Sequence, residues 1–251
     1  MDSVKYKPSR TLNVLVACEE SQAECKAFRE LGYNAYSCDI QPCKITGNPH
    51  WHIHGDVTPF LNGRADFITQ AGDYVQLTNW DLIIAHPPCT FLSKVGLPLM
   101  KAEPLSWVNT YAGKQLVNVE RWEKLKKGRD FFFKCLAAKA PFVAVENPIP
   151  MKIAGLPRPS AYACPSWFGV KYTKKTLYWL KNLPPLFAEI DYPNPKCFVT
   201  ASRGKYRSRT FPQLAKALAQ QWSDYILSEY ASLGQDVAKT WPRRGRDVAE
   251  T

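Results

Sequence analysis

The sequence of 251 residues contains no apolar run approaching the ~20 residues that a membrane-spanning helix needs, which argues against a membrane role. Its first ten residues, Met1–Arg10, lack the apolar stretch of a secretory signal, so the expected compartment is the cytoplasm. No internal repeat or low-complexity tract interrupts it, and the length suits one domain of ordinary size. The 8 cysteines are scattered rather than paired at short intervals, so no disulfide scaffold is expected and the thiols should be reduced. Acids are scarce: 22 Asp and Glu stand against 33 Lys and Arg, a formal charge of +11. That deficit points to a polyanionic partner, nucleic acid or a nucleotide, with a solvated basic face as the plainer alternative. What is present, 45% apolar and 13% aromatic residues, is enough for a real core and excludes disorder or a collagen-like chain.

Apolar periodicity gives the elements. Leu12–Ala17 reads as a buried strand and Ser21–Gly32 as a helix with Ala23, Ala27, Phe28 and Leu31 on one face. Asn34–Asp39 follows as a second strand, completing a β-α-β unit. Further strands are expected at Asp81–Ala85, Phe142–Glu146 and Thr176–Leu180, and helices at Trp122–Lys139 and Phe211–Tyr230. The alternation predicts an α/β fold, doubly wound on a mostly parallel sheet. Residues 1–233 are expected to form one domain with loop insertions at about 43–79 and 93–118, and 183–206 is also expected to be irregular. From Gly234 the chain turns polar and basic, with Arg243, Arg244 and Arg246, and reads as a flexible tail.

In an open parallel sheet the ligand lies outside the C-terminal strand ends. Those ends read Cys18-Glu19-Glu20-Ser21, then Asp39, then Gly55-Asp56, then His86-Pro87-Pro88-Cys89, then Glu146-Asn147. An acid after the second strand suits the paired hydroxyls of a ribose, and Asp56 suits an adenine amino group. Each acid alone is as readily a turn or helix cap. Cys89 follows two prolines that stiffen its turn, and Glu146 ends a strand of its own. A thiol and a carboxyl converging on one cleft form a covalent-catalysis pair, whereas the plainer alternative is a buried structural cysteine.

Pro88-Cys89 within IIAHPPCTFLS, Glu146-Asn147, Asp39 and Gly55-Asp56 occur in an order that resembles the cytosine-C5 DNA methyltransferase family. A small phage-type subgroup is most similar, through the ACEESQ, HPPCTFLS, ENP and RSRTFPQLAKALAQQW stretches, over about residues 12–226. The resemblance implies the Rossmann-like fold of S-adenosylmethionine-dependent methyltransferases and methyl transfer to cytosine in DNA, in a host cytoplasm if the chain is phage-encoded. Cys89 would be the nucleophile that adds to C6 and makes C5 reactive. Glu146 would hold a proton and bond the N3/N4 edge, which asks for a raised carboxyl pKa. Cys18, Glu19, Ser21, Asp39, Ile40 and Asp56 would hold S-adenosylmethionine, with Ile40 against the adenine. Pro88, Asn147, Lys174, Arg207 and Arg209 would face the substrate.

The chain departs from that family in places. Its first loop, Cys18-Glu19-Glu20-Ser21-Gln22, has no glycine, and Thr90 stands where the family usually has Gln. Tyr172–Thr176 takes the place of a Gln-x-Arg-x-Arg strand. About 20 residues separate Leu180 from Arg203, fewer than the ~50 of a recognition domain. Three other functions therefore stand beside the first: modification of a free pyrimidine nucleotide, amino-methyl transfer on the looser likeness of His-Pro-Pro-Cys to Asn-Pro-Pro-Tyr, and a catalytically silent nucleic-acid-binding module. Cys38, Cys43, His50, His52 and His54 form a rival zinc constellation, though their spacing fits no common finger. Trp51, Trp80, Trp107, Trp167 and Trp179 are candidates for base stacking, with core packing the default.

Overall fold

The computed structural model describes residues 10–190, 192–197 and 210–240, with residue 197 and residues 234–240 as backbone only. In chain order the elements are β1 (Asn13–Ala17), α1 (Ala23–Glu30), β2 (Asn34–Asp39), β3 (His52–His54), α2 (Thr58–Leu61), β4 (Asp66–Ile68), β5 (Tyr74–Gln76), β6 (Leu82–Ala85) and α3 (Leu97–Met100). They continue with β7 (Leu105–Thr110), β8 (Gly113–Asn118), α4 (Val119–Leu136), β9 (Phe142–Asn147), β10 (Ala161–Ala163), β11 (Tyr172–Thr173), β12 (Thr176–Lys181), β13 (Lys196–Cys197) and α5 (Pro212–Thr240).

Seven strands form the central sheet in the order β10-β12-β9-β6-β1-β2-β3. Neighbours from β9 to β3 are parallel, whereas β12 runs antiparallel to β9 and to β10. Counting only these strands, the order is 3-2-1-4-5-7-6 with the seventh reversed. That is the Rossmann-like arrangement of S-adenosylmethionine-dependent methyltransferases. The direction of winding reverses between β1 and β6, which opens the ligand crevice above their C-terminal ends.

Both faces of the sheet are covered, which is why its strands read as continuous apolar runs. Leu15, Ile83, Val143 and Val145 pack with Trp80, Trp122, Leu125, Phe132 and Trp179 on one face. Val14, Val16, Leu82, Ile84 and Ala144 pack with Phe28 of α1 and Leu218 and Trp222 of α5 on the other. Trp222 is fully buried and donates its Nε1 proton to Pro184 O at 3.1 Å. Asp81 ties Arg10 and the last helix to the sheet. Its carboxylate accepts from Asn13 N at 2.8 Å, Arg10 Nη2 at 2.9 Å and the Tyr230 hydroxyl at 2.8 Å.

The two segments expected to be loops are more regular than their composition implies. Within 43–79, β3 joins the main sheet beside β2, and β4 pairs antiparallel with β5. Within 93–118, β7 and β8 form an antiparallel hairpin whose turn is closed by Gly113 at φ 92° and by Thr110 Oγ1 donating to Gly113 O at 2.7 Å. The hairpin is pinned by Tyr111, whose ring lies 5.3 Å from Trp122 and 3.9 Å beneath the Arg129 guanidinium. Short strands with polar outer faces carry little periodicity, so the sequence hides them. In the stretch 183–206, β13 pairs with β11, and residues 198–206 lie outside the described residues.

The last helix also differs from expectation. It runs to Thr240, past the Gly234 boundary at which a flexible tail is expected. No proline interrupts 213–240, and a single glycine inside a helix costs only about 1 kcal/mol. Arg243, Arg244 and Arg246 lie outside the described residues. Of the five tryptophans considered for base stacking, Trp80 and Trp179 are core residues and Trp107 is exposed on the hairpin. Trp51 and Trp167 are half-buried. Among the described residues no helix is long and apolar enough to cross a membrane.

Candidate functional site

The loop after β1 keeps the backbone shape of a glycine loop without glycine. Cys18 and Gln22 both take the left-handed conformation, at φ 61° and 58°, which costs a non-glycine residue about 1–2 kcal/mol. Local bonds hold it there. Cys18 N and Glu19 N both donate to Cys38 O, at 2.7 and 3.3 Å. The buried Gln22 side chain donates to Ser37 Oγ and Asn48 O and accepts from Asn48 N at 2.6 Å.

Glu19, expected at the cofactor, is almost fully buried and caps α1. Its carboxylate accepts from Glu24 N at 2.8 Å and Cys25 N at 3.2 Å, while Ser21 Oγ reaches it at 3.5 Å. Burial and the neighbouring Glu24 charge push its pKa up from 4.5 to about 7. The capping carboxylate occupies the N–H groups of α1 at the place where Rossmann folds seat a phosphate. Asp39, the last residue of β2, and Asp56, just after β3, both act on Cys18 through their charges. Burial drives the Cys18 thiol up, and the charges of both acids add to it. Asp39 accepts from Gln41 N at 2.8 Å, and Asp56 from Thr58 N and Oγ1 at 2.9 and 2.8 Å, so each is also the turn or cap residue of the plainer reading. Ile40, next to Asp39, is 71% exposed.

The second half of the crevice is built on β6 and β9, where Ala85 lies beside Val145. His86 N donates to Ala17 O at 2.9 Å, binding the Pro-Pro turn to β1. After the turn, Cys89 O accepts from Leu92 N and Ser93 N, and Met151 N donates to Leu92 O at 2.7 Å. Cys89 is therefore held between two strand ends, half-buried, next to the exposed Pro88. Asn147, expected at the substrate, has a different place. It is fully buried, and its amide donates to Pro87 O at 3.3 Å, bracing the cysteine turn from behind.

Cys89 and Glu146 share one electrostatic neighbourhood with Lys174. Burial pushes the Cys89 thiol up and the Glu146 charge adds to this, with Lys174 pulling the other way. Glu146 itself runs against the sequence expectation of a raised carboxyl. Burial pushes it up, but the His86 hydrogen bond and charge, with Lys174, outweigh burial and hold it below its ordinary value. Glu146 and Lys174 line a cavity of about 10 Å³ with Pro165, Tyr178, Thr210 and Phe211, room for about one water. Arg207 and Arg209 lie outside the described residues.

Three groups here escape the sequence reading. His86 Nδ1 lies 3.2 Å from Glu146 Oε2, and His86 Nε2 lies 3.0 Å from Glu24 Oε2. Thr210 Oγ1 donates to the other Glu24 oxygen at 3.3 Å. Glu24 precedes Ala27 and Phe28 by three and four positions, so it sits on the apolar stripe of α1. An acid on that stripe is the signal that points to it.

The zinc constellation is dispersed. His50 pairs with Asp73 at 2.6 Å, His52 bonds Ser37 Oγ and Gln41 O, and His54 bonds Ile40 O. Cys38 packs in the core with its thiol pushed up to about 12 by burial. Among the described residues no group of three or more His, Cys, Asp or Glu is arranged to hold a metal.

No protein-family model and no curated protein matches the chain. Among solved structures, a prophage-encoded E. coli protein provisionally described as a DNA modification methyltransferase is similar at 13% identity and a TM-score of 0.35. The match covers 68% of this chain and 46% of that one, so it spans less than half the length of that protein.

Proposed function

We propose that this protein transfers a methyl group to C5 of cytosine in DNA, with Cys89 as nucleophile and Glu146 as proton carrier. The observation that carries this is the convergence of Cys89, Glu146 and Lys174 beside the switch point between β1 and β6. Asp39, Ile40 and Asp56 would hold S-adenosylmethionine, whose sulfonium supplies an electrophilic methyl.

The chemistry follows from the side chains. Cys89 forms a bond to C6 of the pyrimidine, and the displaced π pair makes C5 nucleophilic. Its thiol is held protonated by burial, so it must ionise as the substrate arrives, with the Lys174 charge favouring the thiolate. Glu146 faces the ring-nitrogen edge and moves a proton to N3 as charge builds there. Asn147 keeps the Pro87-Pro88-Cys89 turn aimed. A silent binding module needs none of these groups together.

The test is DNA containing 5-fluorocytosine, incubated with protein and S-adenosylmethionine, because fluorine at C5 cannot leave as a proton does. A denaturation-stable complex of protein, DNA and methyl group is the expected outcome. Absence of that complex, with intact protein and bound cofactor, would defeat cytosine-C5 chemistry on DNA. One observation favours a second function, modification of a free pyrimidine nucleotide. Only residues 182–211 separate β12 from α5, fewer than the ~50 residues of a recognition domain. Product from dCMP and none from DNA would select it.

A further inference from the structure

Glu24 is fully buried in the first turn of α1, and a buried carboxylate is tolerated only when paired. Its partner is His86, and the second nitrogen of His86 faces Glu146. A neutral imidazole carries one N–H and can donate to only one of the two carboxylates. Both contacts are at hydrogen-bonding distance, 3.0 and 3.2 Å. The chain Glu24–His86–Glu146 therefore holds one proton more than a neutral histidine between two carboxylates would carry.

We infer that His86 is a positioning residue that stores the proton Glu146 delivers to the pyrimidine ring nitrogen, and that Glu24 keeps the store filled. The inference rests on the pyrimidine chemistry proposed above. As the Cys89 Sγ–C6 bond forms, ring electron density moves toward N3. N3 then takes a proton through Glu146, whose carboxylate passes on the Nδ1 proton of His86. His86 is left neutral, donating its remaining Nε2 proton to Glu24. Once C5 has taken the methyl group, it loses its proton to solvent as the Sγ–C6 bond breaks, and the N3 proton returns to His86 by the same path. No proton is gained or lost in the relay.

The groups facing His86 decide how firmly it holds that proton. Glu19 and Glu24 approach from the α1 side, Glu146 from β9, and Lys174, Tyr178 and Thr210 lie beyond the two carboxylates. Burial pushes the imidazole down, but the charges and hydrogen bonds of Glu24 and Glu146 outweigh it and hold it well above 6.5.

The experiment has two arms. The first needs no turnover: NMR titration of the four histidines in the wild type and in Glu24→Gln and Glu24→Asp. His86 should stay doubly protonated well above the ordinary histidine range in the wild type, titrate at least one pH unit lower in Glu24→Gln, and be partly restored in Glu24→Asp. An ordinary wild-type titration, or one unmoved by Glu24→Gln in a folded protein, overturns the store. The second arm follows adduct formation on 5-fluorocytosine DNA against pH. The rate should fall at high pH, and this fall should move to lower pH in Glu24→Gln. His86→Gly should lose roughly a hundredfold in rate with substrate affinity within twofold, and added imidazole should restore it. Variants that keep the wild-type rate and pH profile overturn the relay alone. A wild type that forms no adduct while His86 titrates as expected overturns the pyrimidine chemistry and the relay with it, leaving only the stored proton.

Discussion

His86 Nε2 lies 3.0 Å from Glu24 Oε2, between residues 62 positions apart in the chain. One belongs to the Pro-Pro-Cys turn after β6 and the other to the first turn of α1 across the switch point. The pair links the half of the crevice built on β1 to the half built on β6 and β9. Because Glu146 takes the other nitrogen of His86, one imidazole bridges the carboxyl of α1 and the carboxyl of β9.

Cys89→Ala should abolish the 5-fluorocytosine adduct and methylated product. The side chain is half-buried and small, so stability should change by no more than about 1 kcal/mol. Mass analysis of the DNA and a denaturant titration check both halves. Product at a near wild-type rate would remove Cys89 from the mechanism.

Asp39→Ala and Asp56→Ala should each weaken S-adenosylmethionine binding by about 1–3 kcal/mol through loss of a charged hydrogen bond. Asp56→Ala should also destabilise the protein by about 1 kcal/mol, because it removes the side-chain bonds to Thr58 that open α2. Calorimetry and thermal unfolding separate the two effects. Unchanged affinity in both variants would take these acids out of the cofactor site.

The pH dependence of stability should carry the mark of Glu19. Its folded pKa, about 7, is raised above the unfolded 4.5. A raised value makes the unfolded state release its proton first, so this contribution is fully present below pH 4.5 and is lost as pH rises through 7. Stability measured from pH 4.5 to 8 should fall more steeply in the wild type than in Glu19→Gln, whose amide oxygen can still cap α1. Equal slopes would show that Glu19 is ionised throughout.

Binding to DNA should weaken strongly with salt, because a chain of charge +11 that contacts phosphates releases counterions. With no recognition domain among the described residues, discrimination between sequences should be small. Extruding a base from a duplex costs a few kcal/mol, so single-stranded or destabilised DNA should be the better substrate. Sequencing of modified cytosines in mixed DNA checks this. A sharp motif modified only in duplex would contradict it.

Much of the fold is legible in the sequence, for a physical reason. Strands covered on both faces must be apolar throughout, so β1, β6 and β9 announce themselves, and β2 is found to the residue. The short strand β3 and the hairpin β7–β8 are not legible, since half-exposed strands of three to six residues mix polar and apolar side chains without a clean period.

The sequence alone determined which residues stand at the ends of the apolar strands, because a β-α-β order fixes where each strand stops: Cys18, Asp39, Cys89 and Glu146 follow from that. Only the tertiary structure decided what those residues touch. It turned Glu19 inward to cap α1, set Asn147 behind the cysteine turn, and joined His86 to Glu24 and Glu146. Periodicity records which faces are buried. It does not record which buried polar groups meet, since that depends on the register of Ala17 beside Ala85 and Ala85 beside Val145, and on how α1 packs over them.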